Sequence, residues 1–150
     1  MLGFGICDLV YYTLYMDNCI FCKIIKGEIP CTKIHEDENT LAFLDINPIN
    51  KGHTLIIPKD HHQNLYEIPD TLLGEIMSKA KGIAKTIKMV LGADGINIGQ
   101  NNELAAGQVV FHYHVHIIPR FDNDGLKHWP GHPYLEGEAE EIAEKIKSAL

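Results

Sequence analysis

Histidine occurs at every second position three times in the segment 111–119, which reads FHYHVHIIP. Successive side chains of a β-strand point to opposite faces, so this alternation predicts a strand with His112, His114 and His116 on one face. The apolar residues between them can then pack against a core. A polar strand face with no chemical role is the alternative that the alternation alone leaves open.

The rest of the chain contains signals for four more strands and two helices. The expected hairpin has strands at 33–36 and 40–45 around a polar turn, and the apolar run 53–58 is typical of a central strand ended by proline. Further strands are expected at 95–99 and 109–119, a long helix at 70–91 with Asp70 as N-cap and Gly92 after its end, and a C-terminal helix at 138–150. The sequence therefore predicts an α+β domain with a five-stranded, mainly antiparallel sheet.

Length and charge limit the classes of protein to consider. A chain of 150 residues with 45% hydrophobic content is long enough for one core, which predicts a single domain. The net charge is −7 and the 13 lysines and arginines are scattered, so no nucleic-acid partner is expected. Any bound phosphate must be held by local groups.

The N-terminal residues 1–15 are apolar but carry Asp8 and lack the basic region and cleavage site of a signal peptide. We treat them as an extension that precedes a domain at 16–150. No run reaches the roughly 18 to 20 apolar residues of a membrane helix, so no membrane partner is expected. The four cysteines include one C-x-x-C pair, which favours reduced, metal-binding thiols and a cytoplasmic location.

Several motifs occur in one order along the chain: CIFCKII at 19–25, FLDI at 43–46, the segment from Gly52-His53 to Pro58-Lys59-Asp60-His61, and Gly107-Gln108 before the alternating histidines. With these motifs the chain resembles the histidine-triad (HIT) nucleotide-binding family, and within it the zinc-carrying, Hint-like branch of prokaryotic members. The resemblance covers Asn18 to about Arg120, together with the HWPG element at 128–131. It implies a HIT-like fold.

The resemblance implies that His114 is a nucleophile that attacks the α-phosphorus of a nucleotide. A neutral imidazole can do so near pH 7 without prior deprotonation, and the resulting nucleotidyl-histidine divides one difficult displacement into two easier steps. His53 and His116 would donate hydrogen bonds to the phosphate oxygens and offset charge in the transition state. Gln108 would act in the same way.

The resemblance also implies a purine ribonucleotide, with an AMP or GMP moiety, as the bound molecule. Asp45 matches the residue that accepts hydrogen bonds from the ribose hydroxyls, and Asn101 matches a polar contact on the phosphate side. The positions that enclose the purine in the family are occupied here by Phe21, Ile24, Phe43 and Ile46. Packing in the core is an equally good explanation for each of these four.

The metal implied by the resemblance is zinc, bound by Cys19, Cys22, His61 and His112. Two thiolates and two imidazoles make a tetrahedral set that suits zinc. Such a site has no open position, so the ion would be structural and would not activate water. The family's Pro-Lys-x-His spacing selects His61 over the neighbouring His62.

We therefore expect an enzyme that cleaves purine nucleoside 5′-phosphoramidates or related nucleotide conjugates through His114. The alternatives are a non-catalytic nucleotide-binding module and a dinucleoside-polyphosphate hydrolase or nucleotidyltransferase. The position of a serine that helps protonate the leaving amine in many Hint-like members is occupied by Val109, which removes one donor. The resemblance further implies a homodimer with the helix 70–91 at its interface.

Overall fold

The computed structural model describes residues 18–127 and 129–150; the extension predicted at 1–15 lies outside the described residues. Within these residues, five strands and three α-helices follow one another, with a short 3₁₀ turn at Leu104–Ala106. In order they are α1 (Ile20–Ile25), β1 (Lys33–Glu36), β2 (Thr40–Leu44), β3 (Thr54–Pro58), α2 (Asp70–Leu91), β4 (Gly95–Gly99), β5 (Val115–Arg120) and α3 (Glu138–Lys147).

The five strands form one sheet in the order β1-β2-β3-β5-β4, and every neighbouring pair is antiparallel. The predicted α+β class, the number of strands and the first hairpin are thereby confirmed. The pairing places Leu55 of β3 opposite His116 of β5, and Thr54 opposite Ile117. One end of β3 and the histidine strand therefore lie side by side at the centre of the sheet.

Both faces of strands β2 and β3 are covered by apolar clusters. Leu41 and Phe43 of β2 pack with Leu55 and Ile57 of β3 in a cluster that includes α1, whereas Ala42 belongs to a second cluster. That second cluster joins the opposite face to α2 and contains Ile56, Ile76, Ala80, Ala84, Ile87, Tyr113, Val115 and Ile117. The alternation along each strand thus produces three layers, with α1 and α2 on opposite faces of the sheet.

The long helix α2 buries Ile76, Ala80, Ala84 and Ile87, whose spacing of three or four residues places them on one face. It ends where predicted, since Gly92 adopts the left-handed conformation (φ 63°) and its N–H donates to the carbonyl of Lys88. The prediction of Asp70 as N-cap was wrong. Pro69 is the residue before the helix, and Asp70 already lies in its first turn. There the negative charge of Asp70 interacts favourably with the positive end of the helix dipole and stabilises the helix.

The prediction of a strand over 109–119 was wrong in its first half, because β5 begins only at Val115. Before that point the backbone bonds elsewhere: the N–H of Tyr113 donates to the carbonyl of His62 (2.6 Å), and the carbonyl of Val110 accepts from the side chain of Gln108 (3.1 Å). The side chains nevertheless keep alternating between the two faces across the start of β5. Tyr113, Val115 and Ile117 all pack in the cluster with α2, so the histidines between them face the other way.

Element ends differ from the sequence prediction at four further places, one of which is the end of β5 at Arg120 instead of Pro119. Strand β2 stops at Leu44, β3 starts at Thr54, and α3 stops at Lys147 instead of Leu150. Among the described residues, no helix combines the length and the apolar character that a membrane crossing requires.

Candidate functional site

The predicted catalytic histidines converge at the junction of β3 and β5. His53 directly precedes β3, His116 lies in β5, and His114 stands one residue before β5. The ring centroids of His53 and His116 are 5.1 Å apart, and those of His114 and His116 are 4.9 Å apart. The fold thus brings His53 next to two imidazoles that lie far from it in the sequence.

The protonation pattern of His114 follows from its partner. Its Nδ1 lies 2.7 Å from the backbone carbonyl oxygen of His112. A carbonyl can only accept, so Nδ1 carries the proton and donates it, which leaves the lone pair of a neutral ring on Nε2. The ring is almost fully buried and also packs edge-on against Phe21, with centroids 5.3 Å apart. His114 is therefore held in the tautomer that a nitrogen nucleophile requires.

The tautomers of His53 and His116 are set by a chain of hydrogen bonds. The backbone N–H of Ile49 donates to Nδ1 of His53 (3.2 Å), so the proton of a neutral His53 ring is on Nε2. Nε2 then donates to Nδ1 of His116, 2.9 Å away. His116 in turn carries its own proton on Nε2. The pair can present a hydrogen-bond donor to a phosphate oxygen while both rings stay neutral.

Burial controls the charge of these rings. It is the main cause that lowers the pKa of His53 and of His114, in both cases against the opposing effect of the Asp45 carboxylate. The pKa of His116 is lowered further, to about 4, by burial and then by the neighbouring imidazoles of His114 and His53. All three rings are therefore neutral at pH 7.

Asp45 directly follows β2 and is partly buried. Its Oδ1 accepts from the backbone N–H of Asn47 (2.8 Å), and its Oδ2 lies 3.6 Å from Nδ1 of His53. One carboxylate oxygen is thus fixed by the backbone of the β2–β3 loop, while the other lies beside the histidine group. This position agrees with a carboxylate that can accept a hydroxyl hydrogen bond at the edge of the site.

The two polar residues predicted on the phosphate side are hydrogen-bonded to backbone groups of the protein. The Gln108 amide donates to the carbonyls of Gln63 (2.6 Å) and Val110 (3.1 Å), and its oxygen accepts from the N–H of Glu103 (2.7 Å). Asn101 donates to the carbonyl of Gly107 at 3.4 Å. In this structure the Gln108 side chain holds the loop in shape, and its three bonds use its donors and its acceptor.

The four apolar residues predicted around the purine lie in different environments. Phe21 and Phe43 are buried in the cluster with α1 and contact each other edge to face, 5.7 Å between centroids, and Ile24 packs partly buried against that cluster. Ile46 is 92% exposed. Packing in the core therefore accounts for Phe21 and Phe43, whereas an exposed isoleucine beside Asp45 offers an apolar surface without a partner in the described chain.

The predicted metal ligands Cys19, Cys22, His61 and His112 are all buried, and one donor atom from each lies within 4.8 Å of the others. Sulfur-to-nitrogen distances are 3.3 Å from Cys22 to His61 and 3.6 Å from each cysteine to His112. Tetrahedral zinc with ordinary Zn–S and Zn–N bonds needs about 3.6 Å between such atoms. The donors and their spacing fit this ion.

The chemistry of the donors also favours a bound cation. Nε2 of His112 lies 2.9 Å from the carbonyl oxygen of Pro58 and must donate to it, so Nδ1 keeps its lone pair and faces both sulfurs. Without a cation, burial and the adjacent Cys19 raise the pKa of the Cys22 thiol to about 12. A metal ion would remove the thiol protons and neutralise the charge that burial otherwise forbids. This cluster can bind a metal.

Two residues singled out in the sequence are highly exposed. Val109 is 86% exposed and Trp129 is 92% exposed. Val109 follows the loop that Gln108 holds, and it brings no hydroxyl to the site. Neither residue packs in the core.

Sequence reasoning missed the groups that orient the histidines. They are the backbone carbonyls of Pro58 and His112 and the backbone N–H of Ile49. Every residue carries such groups, so no residue type signals them. Their roles follow only from the folded positions of the chain.

The fold and the site define a small antiparallel α+β domain with three adjacent imidazoles and a buried Cys₂His₂ cluster. The family model described as HIT domain matches residues 26–123. The chain belongs to the HIT family.

Relatives of known sequence include proteins named as enzymes. The chain is 42% identical to the adenosine 5′-monophosphoramidase of Schizosaccharomyces pombe, over 89% of this chain and 98% of that protein. It is 48% identical to adenylylsulfatase HINT3 of Arabidopsis thaliana, over 73% of this chain and 56% of that protein. An uncharacterised HIT-like protein of Methanocaldococcus jannaschii is 55% identical, over 71% and 82% of the two chains.

Solved structures agree with the fold. A HIT family protein from Bacillus subtilis superposes with a TM-score of 0.81 at 46% identity, and covers 89% of this chain and 97% of its own. A zinc-bound histidine triad protein from Mycobacterium smegmatis has a TM-score of 0.72 at 37% identity, with 90% and 99% covered.

Proposed function

We propose that the protein is a hydrolase that cleaves purine nucleoside 5′-phosphoramidates, or related conjugates of AMP or GMP, through a covalent nucleotidyl intermediate on His114. The observation that carries this proposal is the hydrogen bond from Nδ1 of His114 to the carbonyl of His112, 2.7 Å long. It leaves the Nε2 lone pair available for attack. The names of the phosphoramidase and adenylylsulfatase relatives support the same chemistry.

The reaction has two displacements. In the first, Nε2 of His114 forms a bond to the α-phosphorus, the bond from phosphorus to the leaving nitrogen breaks, and the leaving amine takes up a proton. In the second, a water oxygen attacks phosphorus, the bond to Nε2 breaks, and a nucleoside monophosphate leaves as the water gives up a proton. His116, supported by His53, donates to a phosphate oxygen in both steps.

Other residues have supporting roles in the proposal. Asp45 accepts from the ribose hydroxyls, and the exposed Ile46 beside it covers one side of the purine, with Phe21, Ile24 and Phe43 behind. Asn101 and Gln108 hold the loop on the phosphate side, where Gln108 acts through the backbone that it fixes. Because Val109 offers no proton and the His53–His116 pair is neutral, the leaving amine takes its proton from water.

The test is intact-mass spectrometry, with neutral or basic handling, after brief mixing with adenosine 5′-phosphoramidate, together with quantified release of AMP. The samples are the wild type, His114→Ala and His35→Ala, in which an exposed histidine of β1 is removed. We expect AMP release and a transient mass gain of one AMP in the wild type and His35→Ala only. Nucleotide binding without turnover in all three samples, the wild type included, would contradict the proposal and favour a non-catalytic binding module.

A panel of substrates defines the leaving group. Adenosine 5′-phosphoramidate, its guanosine counterpart, adenylyl sulfate and a dinucleoside polyphosphate are compared by their products. Faster cleavage of the dinucleoside polyphosphate, or transfer of the nucleotide to an acceptor other than water, would assign the protein to the other reaction types of histidine-triad chemistry.

We also infer that the Cys₂His₂ cluster binds one structural zinc. Bound there, zinc supplies a closed four-ligand crosslink and no catalytic water. Cys19 and Cys22 hold it from the start of α1, His61 from the segment after β3, and His112 from the segment before β5. Thiols in this state need a reducing compartment, so the proposal places the protein in the cytoplasm.

We further infer a homodimer formed through β4 and α2. Strand β4 is at one edge of the sheet and leaves Asn97, Ile98 and Gly99 exposed, while the last turn of α2 exposes Met89 and Val90. An edge strand with open backbone groups pairs readily with a second copy. The test is the mass in solution by light scattering. We expect a dimer for the wild type and for Ile34→Lys, at the opposite edge, and a monomer for Ile98→Lys.

A further inference from the structure

A cluster of polar side chains lies behind His53 at the end of the sheet. Its centre is Asp124, whose carboxylate accepts from Nε of Arg120 (2.7 Å) and Nη2 of Arg120 (3.0 Å), and from the backbone N–H groups of Leu126 (2.9 Å) and Phe121 (3.2 Å). The Arg120 guanidinium holds the pKa of this carboxyl well below its usual range. The side chain of Asp124 is 7% exposed, so the group is a fixed anchor.

Asn50 connects this anchor to the β2–β3 loop. Its side-chain amide donates to Oδ2 of Asp124 (3.0 Å) and to the backbone carbonyl of Pro119 (2.9 Å). Both protons of the amide are therefore used to tie the loop to β5 and the segment after it. The attachment is made from the middle of the loop that joins Asp45 to His53.

The backbone around Asn50 holds His53. The carbonyl of Asn50 accepts from the backbone N–H of His53 (3.0 Å), and the N–H of the preceding residue, Ile49, donates to the ring nitrogen Nδ1 of His53 (3.2 Å). The orientation of the Ile49–Asn50 backbone thus decides which nitrogen of His53 carries the proton. Nothing in the side chain of His53 itself makes that choice.

We propose that Asn50 is a positioning residue for His53: anchored by Asp124, it holds the Ile49 N–H against Nδ1 and so keeps the proton of His53 on Nε2, facing His116. The expected change in kcat rests on the proposed function, whereas the expected tautomer of His53 does not. It assigns a role to Asn50, Asp124 and Arg120.

A competing arrangement explains why an anchor is needed. Oδ2 of Asp124 accepts a hydrogen bond from Asn50 and so holds the loop in place. A second carboxylate competes for His53, because Oδ2 of Asp45 lies only 3.6 Å from Nδ1 of His53 and would accept a hydrogen bond from a proton on that nitrogen. If the Ile49 N–H moved away, His53 would shift its proton to Nδ1, towards Asp45. Nε2 would then be an acceptor facing Nδ1 of His116, and the donor that the pair offers to phosphate would be lost.

The structural part is tested by nitrogen NMR of protein labelled with ¹⁵N-histidine, with no substrate present. The resonances of His53 are assigned by their loss in His53→Gln. In the wild type we expect a protonated Nε2 and an unprotonated Nδ1. In Asn50→Ala we expect the Nδ1 resonance to move towards the protonated position. The control is Asn39→Ala, which also removes an amide that donates to a carboxylate, that of Glu75 at 3.0 Å, and should leave His53 unchanged.

The kinetic part uses the same variants with adenosine 5′-phosphoramidate. We expect kcat of Asn50→Ala to fall about tenfold or more with little change in KM, because the loss concerns the orientation of one ring and not the nucleotide contacts. Asn39→Ala should retain the wild-type kcat. Asn50→Ser keeps one hydrogen-bond donor and replaces Asn50→Ala if that variant does not fold. It should show the same changes in tautomer and kcat to a smaller degree.

The outcomes separate the two proposals. An unchanged His53 tautomer in folded Asn50→Ala, or in Asn50→Ser where only that variant folds, overturns the positioning role, whatever the activity. A loss that appears in KM alone also overturns it, since that result would mean a displaced nucleotide contact. A changed tautomer in a protein whose wild type does not turn over the substrate would keep the positioning role and reject the proposed hydrolase.

Discussion

Three histidines of the site are each oriented by a backbone group that can only accept or only donate a hydrogen bond. The carbonyl of Pro58 fixes His112, the carbonyl of His112 fixes His114, and the N–H of Ile49 fixes His53. Since His112 contributes to the metal cluster through its ring and to His114 through its carbonyl, one residue connects both parts of the site. A shift of His112 would therefore move a ligand of the proposed metal site and the ring of His114 together.

The lowered pKa of His114 predicts the pH dependence of catalysis. Only the neutral ring can attack phosphorus, and burial lowers the pKa from its ordinary 6.5, so protonation stops the reaction only at lower pH. We expect kcat/KM for the phosphoramidate to fall with decreasing pH along an acid limb whose midpoint lies below 6.5. His114→Ala at each pH gives the uncatalysed rate, and metal content is followed in parallel. An acid limb centred at or above 6.5 would contradict the assignment.

The sequence allowed the residues of the site to be predicted wherever the chemistry depends on side chains. The alternation of His112, His114 and His116 identified the face of the strand, and the structure gathers the predicted cysteines and histidines in one buried cluster. Tautomers and the role of Gln108 were not predictable, because backbone groups set them. Gln108 bonds to the carbonyls of Gln63 and Val110, and neither partner has a sequence signal.

At the scale of elements, periodicity located the strands and helices well wherever the repeating hydrogen bonds continue. It failed for the segment 109–114, whose alternating pattern resembles a strand although the N–H of Tyr113 bonds to the carbonyl of His62 and the carbonyl of Val110 bonds to the side chain of Gln108. An extended segment between two layers therefore shows alternating burial even where it is not hydrogen-bonded to a neighbouring strand. The irregular backbone leaves the carbonyl of His112 free to accept the hydrogen bond from Nδ1 of His114.

The junction between the β2–β3 loop and the end of α2 depends on Gly52. Its φ of 93° is costly for any residue with a side chain, and an added Cβ would stand 2.3 Å from Cδ1 of Leu91 and 3.4 Å from Cγ of Pro119. The Leu91 side chain is partly exposed and can move, so the backbone conformation carries most of the cost. We expect Gly52→Ala to lower the free energy of unfolding by about 1 to 2 kcal/mol.

The measurement is urea unfolding, and the control is Gly82→Ala within α2. No atom lies within 4 Å of the added methyl there, and alanine favours the helix by about 0.5 to 1 kcal/mol over glycine. The two variants should therefore change stability in opposite directions. A Gly52→Ala protein as stable as the wild type would mean that the loop accepts another conformation.

At the scale of the whole molecule, the sheet separates two apolar clusters that are stabilised differently. The cluster with α2 has a helix of 22 residues to cover it, whereas the cluster with α1 has one of six. So short a helix is not stable alone and must be held by tertiary contacts. The Cys₂His₂ cluster stands at the start of α1, where a metal ion would supply that attachment.

Removal of the metal should therefore loosen the α1 face and also the nucleophile, since Phe21 of α1 packs on His114. We expect one zinc per chain by elemental analysis, and a melting temperature about 10 °C lower, or more, after chelation and in Cys22→Ser. Cys31→Ser is the matched control, because Cys31 packs partly buried against the same cluster but is not a ligand. Equal melting temperatures for Cys22→Ser and Cys31→Ser would show that the α1 layer is held by packing alone.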